Sequence, residues 1–368
     1  MTRQADCVVI GAGLLGLSAA RALADRGREV TVLEQAEVGH LAGGSHGSCR
    51  IFRLGYPDPG YVSLAREAAR LWAAAQARSG AAFLLPAPQL TFGERREAVH
   101  AAMLAAGAPC ELLAAGAVAE RFPGLSVPGP ALLEPGSAVI AASLVLRDLA
   151  AGCPGLRTGA RVTALRDDGR QVTVSTSAGP FTAPVVIVTA GPWTSGLLRP
   201  AGLRVPSSPI LERVGYLAAA AGQPGAAGLP IFVCHGRQSP YGLPVPGEPL
   251  YKVGIHQSGL PTDPDHQDLP GTRDSSGSAG EAGALAGLAR RYLPGLDPEP
   301  VRVERCVYDN SPDEDFIIDR IGNVVIGSGT SGHGFKFGPL LGEWLAGLAA
   351  GEPGAARPPD RFALGRFG

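Results

Sequence analysis

The stretch CVVIGAGLLG, residues 7–16, decides the fold of this chain. Its first four residues form an apolar run that predicts a buried strand, and the glycines of a GxGxxG motif follow at Gly11, Gly13 and Gly16. The next segments read as a helix, LSAARALADRG, and as a second strand, EVTVLE, which ends at Glu34. Strand, glycine turn, helix and strand in this order predict a βαβ unit that binds a dinucleotide.

The glycine turn predicts a pyrophosphate site, because glycines let the backbone approach a phosphate at a helix N-terminus, where free N–H groups and the helix dipole favour anions. Glu34 lies about 20 residues further on, where a carboxylate binds ribose hydroxyls and repels a 2′-phosphate, so NADP is disfavoured. The motif itself leaves FAD and NAD open. FAD is favoured because the partner strands are expected after residue 160 and after residue 322, whereas a simple NAD domain would continue with further βα units.

The composition of the 368-residue chain limits the class of partner. This length predicts two domains of roughly 100 to 200 residues each. A net charge of −1 and a pI near 6.7 provide no basic field for nucleic acid and no polybasic strip for a membrane surface. We therefore expect a small neutral or zwitterionic partner.

The cysteines indicate a reducing compartment. They stand at positions 7, 49, 110, 153, 234 and 306, form no CxxC pair and are too sparse for a disulfide scaffold, so free thiols and no metal site are expected. The longest apolar run, residues 8–20, is too short and too glycine-rich to span a bilayer and lacks the features of a signal peptide. The predicted location is the cytoplasm.

A second stretch, SGHGFKF at residues 331–337, contains one of only two lysines in the chain. These are Lys252 and Lys336, against thirty arginines. A chain that uses Arg almost everywhere is expected to keep Lys where a compact ammonium differs in effect from a planar guanidinium. The residues alone leave open the alternative that both lysines survived a drift of composition toward Arg.

Four motifs occur in an order that resembles a known family. GxGxxG, then SHGSCRIFR (residues 45–53), CVYDNSPDEDFIID (residues 306–319) and SGHGFKF resemble monomeric sarcosine oxidase and N-methyltryptophan oxidase-like flavoproteins over nearly the whole chain. The resemblance implies FAD, tethered through a cysteinyl thioether at Cys306. It further implies a small amino acid and molecular oxygen as substrates, and a monomer.

The same resemblance assigns roles to individual residues. It implies that Lys252 activates oxygen, that His256 and the tyrosines Tyr241 and Tyr308 lie in the active site, and that Arg50 lies near the isoalloxazine ring. Arg53 and Lys336 match the pair that holds the substrate carboxylate. The cofactor contacts implied are Gly11, Gly13, Gly16, Glu34, Ser45, His46, Arg50, Val162, Cys306, Gly332, Gly334 and Lys336.

The chain departs from the family pattern at three positions. Thr330 stands where sarcosine oxidase has a phenylalanine, Ser311 replaces a threonine, and Cys49 occupies a position where threonine is usual. These changes leave the cofactor chemistry intact and affect the expected side chain of the substrate. Four acidic residues nearby, Asp313, Glu314, Asp315 and Asp319, are expected to cap or solvate a turn and are assigned no chemistry.

The predicted fold class is α/β, a Rossmann-type FAD-binding domain with a second α+β domain of sheet and helices. We expect the FAD-binding domain at residues 1–82, 142–205 and 313–368, and the substrate domain at 83–141 and 206–312. Residues 41–61 are predicted to be a polar loop, and residues 261–283 a turn-rich exposed loop.

The predicted activity is oxidation of a secondary or cyclic amino acid at a carbon–nitrogen bond, with reduction of oxygen to hydrogen peroxide. Three alternatives remain open. Two are enzymes: a biosynthetic oxidase that forms a cyclic imine, and a fructosyl amino acid oxidase. The third is a flavin-binding module without turnover, which the retention of both lysines and of Arg53 disfavours.

Overall fold

The protein is described here as a computed structural model, in which residues 3–236, 238–265, 279–351 and 357–368 are placed. The strands are β1 (Arg3–Gln4), β2 (Cys7–Ile10), β3 (Val30–Leu33), β4 (Cys49–Phe52), β5 (Leu84–Pro86), β6 (Gln89–Gly93), β7 (Glu111–Leu113), β8 (Ala131–Glu134), β9 (Ala138–Ala141), β10 (Leu156–Arg157), β11 (Val162–Asp167), β12 (Val172–Thr176), β13 (Phe181–Ala183), β14 (Val185–Val188), β15 (Ser208–Leu217), β16 (Ile231–His235), β17 (Ser239–Pro244), β18 (Tyr251–His256), β19 (Leu260–Pro261), β20 (Arg302–Asn310), β21 (Ile317–Ile321) and β22 (Val324–Ser328). The α-helices are α1 (Leu14–Ala24), α2 (Pro59–Ser79), α3 (Arg96–Ala105), α4 (Ala115–Arg121), α5 (Ala142–Ala151), α6 (Thr194–Leu198), α7 (Ala279–Tyr292) and α8 (Gly338–Ala350).

A six-stranded sheet forms the first half of the fold, in the order β10-β3-β2-β14-β22-β21. All neighbours are parallel except β21, which runs antiparallel to β22. The βαβ unit predicted from the first 34 residues is confirmed as β2, α1 and β3. Alternate residues of β2 face opposite sides: Val9 packs with α1 and α8, and Val8 packs with the smaller sheet β1-β13-β12-β11.

A nine-stranded sheet forms the second half, in the order β19-β15-β18-β17-β16-β6-β8-β7, with β20 paired to β15. Its core contains stacked aromatic rings, among them Phe232, Tyr251 and Tyr292. Strand β20 pairs only with β15 among the described strands, so its other edge is left to face the first half of the molecule. That edge forms one wall of the cavity described below.

Two segments differ from the sequence-based expectation. Residues 49–52, expected in a loop, form β4, because their backbone pairs antiparallel with Ala138–Ala141, a partner that a local sequence pattern does not reveal. Helix α7 begins at Ala279, inside the segment expected to be a loop through residue 283, because its later turns bury Leu285, Ala289 and other apolar residues. Residues 266–278 of that expected loop lie outside the described part.

The division into two domains remains a proposal, which the distribution of strands supports. Every strand of the six-stranded sheet comes from residues 1–82, 142–205 or 313–368, and every strand of the nine-stranded sheet comes from 83–141 or 206–312. The small sheet β4-β9-β5 takes strands from both sets. No helix within the described residues is long and apolar enough to cross a bilayer.

Candidate active site

A cavity of about 610 Å³ lies between the C-terminal ends of β2 and β14 and the free edge of β20. The carboxyl ends of parallel strands are where ligands bind in open α/β sheets. Most of the predicted cofactor contacts line this cavity, namely Gly11, Gly13, Glu34, Ser45, His46, Arg50, Val162, Cys306, Gly332 and Gly334, together with Tyr308. Gly16 and Lys336 do not line it.

The glycine turn is built for close backbone contacts. Gly11 has φ +98°, and a Cβ there would lie 2.5 Å from the carbonyl oxygen of Thr189. A Cβ on Gly16 would lie 1.9 Å from the carbonyl oxygen of Gly11, so only glycine lets α1 approach the turn this closely. The N–H group of Leu14 at the start of α1 donates to Ser45 Oγ at 3.1 Å, which places Ser45 at this helix N-terminus.

Glu34 lies at one end of the cavity and is buried. Its carboxylate accepts hydrogen bonds from the N–H groups of Ala12 (2.7 Å) and Ala36 (3.0 Å), and His40 Nε2 lies 3.4 Å away. Burial raises the pKa of Glu34, but these hydrogen bonds outweigh it and hold the pKa below its usual value. The group is therefore an anionic acceptor at neutral pH.

Arg50 and Cys306 lie at the other end of the cavity. The Arg50 guanidinium donates to the carbonyl oxygens of Gly44 (3.0 Å), His46 (2.6 Å) and Cys49 (2.9 Å), and its Nη2 lies 3.9 Å from Cys306 Sγ. These bonds fix the position of the guanidinium. The Cys306 thiol beside it lines the cavity, although Cys306 as a whole is only 9% exposed.

The donor set along this cavity fits FAD. Glu34 would accept from ribose hydroxyls, the glycine turn and the N-terminus of α1 would hold the pyrophosphate, and Arg50 would provide positive charge at the far end, beside Cys306. Gly334 and Phe335, in a short 3₁₀ segment ahead of α8, also reach the wall, as expected for the glycine-rich turn before that helix. Thr189 and Trp193 line the cavity too, and the sequence analysis assigned neither of them a role.

Lys252 lies on β18, close to Arg50, and is 5% exposed. Its Nζ donates to the Cys49 carbonyl at 3.4 Å and lies 5.8 Å from the centre of the Tyr216 ring, and no described carboxylate is paired with it. Burial, and then repulsion by Arg50, lowers the pKa of Lys252. The same causes, burial first, lower the pKa of His46 to about 3, so its imidazole adds no positive charge at neutral pH.

Arg53 and Lys336 come together from opposite ends of the chain. The Lys336 ammonium is buried and donates to the Tyr56 hydroxyl at 2.9 Å and to the His333 carbonyl at 3.1 Å. The Arg53 guanidinium lies 4.2 Å from the centre of the Tyr56 ring, and its buried Nη1 has no hydrogen-bond partner among the placed residues. Burial, and then repulsion by Arg53, lowers the pKa of Lys336.

The nearest carboxylate to this pair, Glu134, is already engaged. It accepts from the N–H groups of Leu54 and Gly55, each at 2.7 Å, and from the Ser137 hydroxyl. Within the described residues, no carboxylate forms an ion pair with either Arg53 or Lys336. Two neighbouring cations without a counter-ion form a site for an anion.

The predicted active-site residues His256, Tyr241 and Tyr308 lie close to one another. The His256 ring is 5.9 Å from the Tyr308 ring, and the Tyr241 ring packs on Gly254. Burial, then Lys336 and Arg53, lowers the pKa of His256 to about 4, so the ring is neutral at neutral pH and its unprotonated nitrogen can accept a hydrogen bond. Sequence reasoning missed Tyr56, His333 and Glu134, although Tyr56 and His333 lie within a few residues of the two predicted cations.

The acidic residues that were assigned no chemistry hold the C-terminal segment. Asp315 pairs with Arg361, Asp313 pairs with Arg366, and the Tyr61 hydroxyl donates to Asp315 at 2.8 Å. No group of three or more potential metal ligands is placed to hold a metal ion within the described residues.

Comparisons with known proteins show which family the chain belongs to. A family model described as FAD dependent oxidoreductase matches residues 6–348. The peroxisomal sarcosine oxidase of Homo sapiens is 34% identical over 364 residues, which cover 94% of this chain and 92% of that protein. The monomeric sarcosine oxidase of Bacillus sp. (strain B-0618) is 31% identical, covering 95% of this chain and 93% of that protein.

The fold is also similar to a solved structure, that of NikD, described as an unusual amino acid oxidase essential for nikkomycin biosynthesis. The TM-score is 0.85 with 27% identity, covering 98% of both chains. These matches confirm the predicted fold class, the FAD cofactor and the resemblance inferred from the four motifs. The chain belongs to the family of FAD-dependent oxidoreductases and is related within it to the sarcosine oxidases.

Proposed function

We propose that this protein is an oxidase that uses FAD to oxidise a secondary or cyclic amino acid at its carbon–nitrogen bond, giving an imine, while oxygen is reduced to hydrogen peroxide. The sarcosine oxidase relatives support FAD-dependent oxidation of a secondary amino acid. The observation that carries the proposal is the pair Arg53 and Lys336, two cations with no carboxylate partner in the described part of the chain. An amino acid, unlike a simple amine, supplies the missing carboxylate.

Each residue of the proposed site has its own role in the reaction. When bound, FAD accepts the hydride equivalent from the carbon next to nitrogen and supplies the electrons that reduce oxygen. Arg53 offers a planar fork and Lys336 a point charge, which together fix the carboxylate and hence the amino nitrogen. His256, whose pKa is lowered to about 4 and which is therefore neutral at pH 7, can accept a hydrogen bond from the substrate nitrogen and orient it. Tyr241 and Tyr308 would bound the space beside it.

Lys252 serves the second half of the reaction. Reduction of oxygen builds negative charge in a site with little water, where a fixed positive charge is worth far more than in bulk solvent. The ammonium of Lys252 is buried, has no carboxylate partner among the described residues and lies behind Arg50. We assign it to oxygen activation, and we assign Arg50 to the negative charge that develops on the cofactor.

Three finer assignments belong to the same proposal. The Cys306 thiol would carry FAD covalently through a thioether; its place on the cavity wall beside Arg50 supports this. A monomer is supported by the monomeric sarcosine oxidase among the relatives. A cytoplasmic location is supported by six free cysteines and the absence of a strongly basic or acidic balance.

A biosynthetic role is the second candidate, and the similarity to NikD favours it. In that case the oxidation would form a cyclic imine or lead to an aromatic ring. The two candidates share the carboxylate pair and differ in the substrate that fills the rest of the pocket.

The test is anaerobic mixing of the purified yellow protein with pipecolate, sarcosine and N-methyl amino acids, followed by absorption of the bound flavin. We expect bleaching by at least one amino acid and recovery of colour with release of peroxide when air is admitted. A protein that binds flavin and is bleached by none of them would be a binding module, and the proposed activity would be wrong.

A further inference from the structure

We propose that Tyr56 is the positioning residue that couples the two cations of the carboxylate site, through a directed chain of hydrogen bonds from Lys336 to Tyr56 to His333. This inference rests on the proposed function, because it concerns how that site is kept ready for an anion. Tyr56 lies outside the sequence motifs, and His333, although part of SGHGFKF, was assigned no role there.

Tyr56 contacts both cations at once. Its hydroxyl accepts from Lys336 Nζ at 2.9 Å, while the Arg53 guanidinium lies over its ring, 4.2 Å from the ring centre. A guanidinium over an aromatic face is attracted by the electrons of the ring. The Arg53 atom left without a partner, Nη1, is therefore held in place without a hydrogen bond of its own.

The direction of the hydrogen bonds follows from the last acceptor. His333 Nε2 lies 3.0 Å from the carbonyl oxygen of Glu314, and a carbonyl can only accept, so Nε2 must carry the proton. Burial and the neighbouring Lys336 lower the pKa of His333, which leaves Nδ1 unprotonated. Nδ1, 3.2 Å from the Tyr56 hydroxyl, is then an acceptor, so Tyr56 donates to it and accepts from Lys336.

This series of hydrogen bonds has one stable direction, from Lys336 to Tyr56 to His333. Burial raises the pKa of Tyr56 to about 12, so the hydroxyl keeps its proton at neutral pH and stays a donor to His333. Reversal would require a protonated His333 beside the Lys336 ammonium, which like-charge repulsion opposes. The hydroxyl oxygen thus always presents its lone pair to Lys336.

The supporting elements hold Tyr56 from several sides. The Tyr56 ring stacks on Tyr61, with centroids 5.0 Å apart, and the N–H group of Gly55 just before it is bound by Glu134. On the other side, Trp72 Nε1 donates to the Lys336 carbonyl at 2.8 Å. Both cations are therefore carried by a rigid frame before any substrate arrives, which lowers the cost of binding an anion.

The test uses binding rather than turnover. Cyclohexanecarboxylate, which has the shape of pipecolate without its nitrogen, and neutral cyclohexanecarboxamide are titrated into the FAD-loaded protein, and the absorption of the flavin is followed. We expect Tyr56→Phe, which keeps the ring, to raise the Kd of the carboxylate about 5- to 10-fold and to leave that of the carboxamide unchanged. Tyr61→Phe, which removes a neighbouring hydroxyl that contacts neither cation, is the matched control.

A double-mutant cycle then identifies the path of the effect. If Tyr56 acts through Lys336, Tyr56→Phe should weaken carboxylate binding no further in the Lys336→Met background. Tyr56→Leu should still weaken it in that background, by roughly 5-fold, because Arg53 loses the ring beneath it. Variants are compared at equal flavin content and with matched melting curves.

The outcomes separate this inference from the proposed function. Equal loss of affinity for carboxylate and carboxamide, or a Tyr56→Phe effect that persists in full without Lys336, would overturn the coupling. If Lys336→Met weakens carboxylate binding and Tyr56→Phe does not, the carboxylate site stands and the coupling alone is wrong. If the carboxylate binds no better than the carboxamide even in the unmodified protein, the proposed substrate site itself fails.

Discussion

The thiol of Cys306 lies 3.9 Å from the guanidinium of Arg50, on the wall of the cavity that fits FAD. Arg50 is held by three backbone carbonyls and cannot easily move away. The thiol therefore lies on the cavity wall, where a thioether to a bound flavin could form. This relationship motivates the first prediction.

If Cys306 carries the flavin, acid denaturation of the yellow protein should leave the colour with the precipitated chain. Cys306→Ala should release the flavin to the supernatant under the same conditions. Absorption of pellet and supernatant measures both. A yellow supernatant from the unmodified protein would show that the flavin is not bound covalently. It would not contradict FAD binding itself, which rests on the glycine turn and Glu34.

Replacement of Lys252 by Met should separate the two halves of the reaction. Loss of a buried positive charge should slow reoxidation of the reduced flavin by about 100- to 1000-fold, while reduction by substrate without oxygen changes much less. Stopped-flow absorption follows each step. Lys252→Arg should recover only part of the rate, because its planar donors fit a lysine site badly. Equal losses in both steps would show that Lys252 only supports the site.

Lys336→Met should harm amino acids selectively. Loss of one contact to a desolvated carboxylate costs about 2 to 4 kcal/mol, or roughly 30- to 1000-fold in kcat/KM. Pipecolate should suffer this loss and piperidine, the same ring without the carboxylate, should not. Steady-state peroxide assays with both compounds give the comparison. A similar loss for piperidine would mean that Lys336 acts on the flavin instead.

Thr330 should set the size of the substrate. It lines the cavity, and its side chain lies where a Cβ on Gly334 would clash with it. The motif resemblance to sarcosine oxidase implies a phenylalanine at this position. A smaller side chain leaves room for a cyclic or larger N-methylated amino acid, so pipecolate should outperform sarcosine. Thr330→Phe should shift the ratio of kcat/KM values toward sarcosine by about 10-fold or more. The inference about pocket size fails if the unmodified protein prefers sarcosine.

Buried histidines should make stability depend on pH. Burial lowers the pKa of His46 and His235 to about 3 and that of His256 to about 4, below the unfolded value near 6.5. Between these values the unfolded chain binds more protons than the folded protein. The free energy of unfolding should therefore reach its full value above pH 6.5 and fall as pH drops toward 4, by up to about 1.4 kcal/mol per pH unit for each histidine. Urea unfolding between pH 5 and 7.5 measures the slope.

The matched control for this pH effect is a single replacement. His235→Gln should reduce the slope, because burial lowers the pKa of this histidine to about 3 in the folded protein. A slope unchanged by His235→Gln would contradict the assignment.

Much of the cofactor site was predictable because its determinants are local. The GxGxxG turn needs glycine where a Cβ would meet a carbonyl, and Glu34 directly follows β3, so short-range pattern and spacing place both. The motif resemblance added Arg53 and Lys336 as a pair. The strand β4 was missed, because a four-residue strand gains its hydrogen bonds from Ala138–Ala141, far along the chain.

The sequence by itself determined the βαβ unit, the family and the identity of the two unusual lysines, because periodicity, glycine spacing and residue type act over a few positions. Only the tertiary structure decided that Lys336 lies beside Arg53 with no carboxylate from the described part of the chain as counter-ion, and that Tyr56, 280 positions from Lys336, joins the two. Burial and the direction of a hydrogen bond depend on what packs from distant segments. Those contacts, not the local pattern, leave two cations in a desolvated space where an amino acid carboxylate could pair with them.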